Sequence, residues 1–93
     1  MVEEQINGNK VVKEFELIPR NRKSFYGKCR VLVTENGNKY LKSYSTIVAQ
    51  VVDNVLKVFD WHSATTTRHI WAFVDFEGCL CRDKHALEEG VKL

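Results

Sequence analysis

Ninety-three residues carry 14 Lys and Arg against 12 Asp and Glu, a formal net charge of +2 at pH 7. A chain this short makes one domain and buries only about 60–65% of the surface it exposes when unfolded, so one sheet and one helix use most of its core and leave little room for a deep substrate pocket. With 44% hydrophobic and 28% charged residues the chain is not disordered, and a charge this small does not by itself imply nucleic acid.

Residues 1–10 read as a flexible N-terminal segment with a turn at Asn7-Gly8-Asn9. Residues 11–18 alternate imperfectly, as a half-buried strand does, and Pro19 ends them because it cannot donate to a ladder. A polar loop follows at 20–24. Residues 25–35 form the clearest strand, and Asn36-Gly37 after it is the preferred pair for a two-residue type I′ turn. That turn pairs Glu35 with Asn38, Val33 with Tyr40, Val31 with Lys42 and Arg30 with Ser43. It gathers Cys29, Val31, Val33, Tyr40 and Tyr44 on a covered face and Lys28, Arg30, Thr34 and Lys39 on a wet one.

After the returning strand, 38–45, residues 46–52 are apolar and β-branched. Asp53-Asn54 makes a second tight turn into 55–61. Ile47, Ala49, Val51, Leu56 and Val58 fall on one face, a floor for a helix. Val48, Gln50, Lys57, Phe59 and Trp61 fall on the other. At Trp61 the hydrophobic period changes from about two to about 3.6. The spacing predicts a helix over 64–76, with Ser63 or Thr65 as its N-cap and Gly78 as its stop. Thr66, Ile70, Phe73 and Val74 share the buried stripe, Arg68, Ala72 and Asp75 lie opposite, and Trp71 is at the boundary. Residues 79–93 read as a C-terminal tail with a turn of helix at 84–89. The expected fold is α+β: an antiparallel meander of about five strands over 11–78, covered by one C-terminal helix.

Catalytic chemistry finds little to stand on. Cys29 alternates with core residues, where a thiol is inert. His69, one position before Ile70, is expected to be packed and hydrogen-bonded, and no Ser–His–Asp arrangement is assignable. Cys79-Leu80-Cys81 with His85, and with His62 or His69 as a further candidate, resembles a zinc ligand set, but a one-residue gap is tighter than the usual Cys-x2–4-Cys spacing. The expectation is no catalytic residue, no metal and no cofactor. Three cysteines, an odd number, and the lack of a signal-peptide pattern fit a reducing cytoplasm. No apolar run approaches the roughly 20 residues of a membrane span.

Two surfaces suit a partner. The rim of the strand-to-helix joint, Trp61, His62, Arg68 and Trp71, offers aromatics, a guanidinium and the donors of a helix start to a protein or an anion. The acid-free segment 20–30 interleaves Arg20, Arg22, Lys23, Lys28 and Arg30 with Tyr26, a pattern that can follow a phosphate backbone and stack a base.

Lys23-Ser24-Phe25-Tyr26-Gly27-Lys28, Lys42-Ser43-Tyr44-Ser45-Thr46-Ile47-Val48-Ala49 and Ser63-Ala64-Thr65-Thr66 with Arg68-His69-Ile70 resemble a group of short uncharacterised domains found in bacteriophages, prophages and Gram-positive bacteria. The resemblance covers about 15–76 and brings no established activity. It implies a phage or mobile-element setting in the cytoplasm of a bacterial host. The expected role is therefore stoichiometric binding of a host protein or nucleoprotein effector, concretely an anti-CRISPR-like inhibitor of a defence nuclease. The alternative is a nucleic-acid-binding regulator using 20–30, and exposed aromatics also fit a homodimer.

Overall fold

The computed structural model describes residues 5–6, 8–18, 27–61 and 63–93. Among them, β1 (Gln5–Ile6), β2 (Asn9–Glu16), β3 (Cys29–Thr34), β4 (Lys39–Ser43), β5 (Thr46–Val52), β6 (Val55–Val58) and β7 (Val91–Lys92) form one antiparallel sheet in chain order. Helix α1 (Ala64–Phe76) and the short α2 (Lys84–Glu89) lie between β6 and β7. The α+β antiparallel class agrees with the sequence reading. The count differs: the five expected strands correspond to β2–β6, and two-residue strands add one at each edge. Such short strands leave almost no periodicity to detect. Among the described residues there are two helices where the expected fold had one covering helix, the second lying at the expected turn of helix over 84–89.

The first hairpin departs from expectation for a physical reason. Type I′ needs positive φ at both central residues. Here Gly37 has it, at 86°, and Asn36 does not. Gly37 N–H donates to Thr34 O, and Thr34 N–H donates to Asn38 O. The loop is therefore three residues long, the kind in which a left-handed glycine follows a type I turn. Val33 pairs with Lys39, Val31 with Leu41 and Cys29 with Ser43. Moving the register by one residue turns every β4 side chain over. Leu41 and Ser43 join Cys29 and Val31 on the helix side, whereas Tyr40 sits beside Leu32 on the opposite face. Thr34 is buried there rather than wet, and Lys39 leaves the face of Arg30.

The second expected turn is as read: Asp53 and Asn54 both have positive φ, at 54° and 62°. In β5 the register shifts opposite Leu41 and Lys42, leaving Val48 as the extra residue. Val48 and Ala49 are consequently both buried in the core, and Ile47 is not part of the floor. Trp61 also departs from expectation. The β6 ladder ends at Val58, so strand alternation no longer governs Trp61, which packs against the core instead of joining Phe59.

Helix α1 lies over the floor made by Leu41, Ala49, Val51, Leu56 and Val58, inserting Ile70, Phe73 and Val74. Ser63 is its N-cap, accepting the Thr66 N–H at 3.0 Å. Its end is a Schellman motif: Gly78 N–H donates to Asp75 O, Cys79 N–H to Val74 O, and Gly78 sits at φ 72°. The residues from Cys79 onward add Cys79 and Leu87 to the core, and Leu93 N–H donates to Asn54 O.

Two substitutions probe this architecture by urea denaturation. Gly78→Ala meets no atom within 4 Å of its new Cβ, so its whole cost is the left-handed backbone, about 1–2 kcal/mol. Ile70→Asp places a carboxylate where no surface is exposed, and its cost of several kcal/mol against a total of about 5–15 should leave the domain unfolded.

Candidate functional site

Two groups of side chains stand out where β4, β6 and the helices meet. The first is buried and polar. Because Ser43 faces the helix, its Oγ lies 2.8 Å from His69 Nδ1 and 3.2 Å from Thr66 Oγ1. Burial, and secondly the neighbouring Arg68, hold the His69 pKa below its ordinary 6.5. Tyr44, at the tip of the β4–β5 hairpin, has φ 57°, a region an L side chain enters at a cost of about 1–2 kcal/mol. Its N–H donates to Lys28 O, its ring stands 5.8 Å from that of His69, and Lys28 Nζ lies 5.4 Å from the same ring. A serine on an imidazole is the start of a nucleophile–base pair, but here both groups are at most 2% exposed, so substrate has no approach.

The second group is the outer rim. Trp61 and Trp71 have ring centroids 5.3 Å apart. Lys84 Nζ lies 5.0 Å from the Trp61 ring and the Arg82 guanidinium 5.6 Å from the Trp71 ring, within cation–π range. Arg82 is held by Asp75 and by the carbonyls of Cys79 and Cys81. The Trp61 indole nitrogen is buried without an acceptor among the described residues. Arg68 is exposed one helical turn before Trp71, with a 3.5 Å contact to Thr65 Oγ1.

Of the residues singled out from sequence, Trp61 and Trp71 meet, and Arg68 flanks them. His62 lies outside the described residues. Arg20, Arg22, Lys23 and Tyr26 also lie outside them. Lys28 and Arg30 separate: Lys28 reaches Tyr44, whereas Arg30 is on the other face in an ion pair with Glu14. Sequence reasoning passed over Arg82 and Lys84, which lie in what reads as a tail. It also passed over Ser43, whose direction depends on the hairpin register.

The cysteines take ordinary places. Cys29 and Cys79 are buried, and Cys81 is half-buried with its Sγ 3.8 Å from Asp83 O. His85 is exposed beside Glu89. Among the described residues no group of three or more His, Cys, Asp or Glu side chains is placed to hold a metal. At the far end of α1, Asn36, Asn38, Asp53, Asn54 and Glu77 line an open polar pocket of about 270 Å³. The Glu77 carboxylate, at the unfavourable negative end of the helix, is neutralised there by Lys39 Nζ at 2.9 and 3.0 Å.

Residues 13–88, from β2 into α2, match a family of unknown function, DUF8033. The chain belongs to this family. The family span includes both the buried cluster and the rim. No curated protein and no solved structure matches the chain.

Burial, and secondly Glu16, push the Cys29 thiol up to about 12. Its thiolate is therefore scarce at neutral pH. Iodoacetamide followed by mass spectrometry should label Cys81 first in the native protein and leave Cys29 unmodified until the chain is unfolded.

Proposed function

We propose that the domain is a stoichiometric binding module without a catalytic role, and that it meets its partner through Trp61, Arg68 and Trp71 together with Arg82 and Lys84. The observation that carries this reading is the tryptophan pair: two large rings outside the fully buried core, with a cation over each. Tryptophan and arginine supply most of the binding energy in many interfaces, because they bury a large area for little lost rotamer freedom. The burial of Ser43 and His69 also argues against a hydrolytic role. In its concrete form, the domain is an accessory protein of a phage or mobile element. It binds a host macromolecule and inhibits a bacterial defence nuclease in the manner of anti-CRISPR proteins. That form is supported by the resemblance of the stretches at 23–28, 42–49 and 63–70 to short phage and prophage domains.

A nucleic-acid-binding regulator is the second reading. It is supported by the half-exposed Tyr44 ring beside Lys28, since a π-face next to a cation suits an unpaired base. The engagement of Arg30 with Glu14 weakens it.

Arg68→Glu separates the rim from the architecture. Its unfolding free energy should stay within about 0.5 kcal/mol of wild type, as for most exposed positions. Its affinity for a host effector captured by the wild-type protein should fall at least about tenfold, or 1.4 kcal/mol. Wild-type affinity in this variant would leave the joint as architecture alone, and failure to protect a phage from the captured effector would remove the defence-inhibitor form. For the second reading, gel-shift titrations against single- and double-stranded DNA and RNA should show affinity falling steeply with salt. An absence of binding at low salt ends it.

A further inference from the structure

Helix α1 is tied to β4 by a polar joint at each end. Lys39, at the start of β4, holds Glu77 just beyond the helix, and Ser43, at the end of β4, meets Thr66 and His69 in its first turns. The two joints differ chemically. The first is an ion pair between an ammonium and a carboxylate. The second is made of two hydroxyls and an imidazole, all at most 2% exposed. Over the second lies Tyr44, kept at φ 57° although a glycine would sit there without strain, with its ring 5.8 Å from His69.

We propose that Ser43, Thr66 and His69 form a pH-sensitive latch between the β4–β5 hairpin and the first half of α1, with Tyr44 as its cover. A proton on His69 would have to be held as a charge without solvent, beside the positive Arg68 of α1. Lys28, from the segment before β3, stands over the Tyr44 ring. On β3, Cys29 pairs in register with Ser43 and remains a neutral thiol. Glu16, which acts on Cys29, sits opposite Arg30 in the β2–β3 register with its carboxylate accepting the Gly27 N–H, and Lys42 sits opposite Arg30 in the β3–β4 register. The folded state therefore binds the His69 proton less readily than the unfolded chain, whose histidine titrates at the ordinary 6.5. Stability from the latch is fully present above that value and is lost as pH falls below it through the folded pKa.

The test is an NMR titration of the wild-type histidine rings, combined with amide hydrogen exchange at about pH 7.5 and about pH 5.5, corrected for intrinsic rates. His69 should titrate below 6.5. On acidification, amides at 43–46 and 66–70 should exchange at least about tenfold faster relative to those of β5 and β6. His69→Gln, which keeps a hydrogen-bonding side chain and cannot titrate in this range, should lose that difference. Tyr44→Gly, which removes the cover and relieves the backbone, should move the His69 midpoint up toward 6.5. A wild-type midpoint at or above 6.5, a loss of protection spread evenly over the sheet and helix, or no local change would each overturn the latch. These wild-type outcomes decide the question even if His69→Gln does not fold. An unchanged midpoint in Tyr44→Gly would overturn the part assigned to Tyr44.

Discussion

The pairing of Cys29 with Ser43 and of Val31 with Leu41 is the constraint on which the helix-facing side of the sheet depends. It follows from a three-residue loop that closes with Gly37 in the left-handed region. Had the loop been one residue shorter, Leu41 would have been turned away from the helix and Tyr40 toward it. The floor under Ile70 and Phe73 would then carry a phenol in place of an aliphatic side chain, and Ser43 would not reach His69. One backbone conformation thus decides which side chains of β4 form core, which form a polar joint and which face the other way.

Polar chemistry in this protein is divided between an inside and an outside. Inside, Ser43, Thr66 and His69 satisfy one another under the helix. Each such bond is worth about 1 kcal/mol when made and costs about 1–3 kcal/mol when one partner is left alone, so the cluster specifies the seating of α1 more than it stabilises it. Outside, Trp61 and Trp71 carry cations over their rings. The charged heads of Arg82 and Lys84 stand over the aromatic faces, which keeps two large rings compatible with water. Under the proposed binding role, a partner surface would take over the contacts that these cations make with the rings.

Both α1 joints also show how local sequence and long-range placement cooperate. Ser63 and Gly78 delimit the helix by local chemistry, one by accepting an end N–H and the other by entering a conformation that costs it no Cβ clash. Glu77 then leaves a negative charge at the negative end of the helix, which is unfavourable locally and is offset by Lys39 from 38 residues away. The adverse charge is tolerated because the register of β4 delivers an ammonium to it.

Local patterns by themselves determined the antiparallel class, the five central strands and the limits of α1. They also determined the stripe of Ile70, Phe73 and Val74, because periodicity, caps and turn residues act over only a few positions. The rim was partly legible, through Trp61, Arg68 and Trp71. Tertiary structure alone decided the rest. The β3–β4 register depended on whether Asn36 or only Gly37 would take positive φ, and the same dipeptide permits both. The extra residue at Val48 and the end of β6 at Val58 reset the faces of Ile47 and Trp61. Two-residue strands at the edges form only where a neighbouring strand is waiting, and Arg82 and Lys84 reach the tryptophans only after the chain has turned at Gly78. Ser43 meets His69 across 26 residues, a distance over which no local pattern can act.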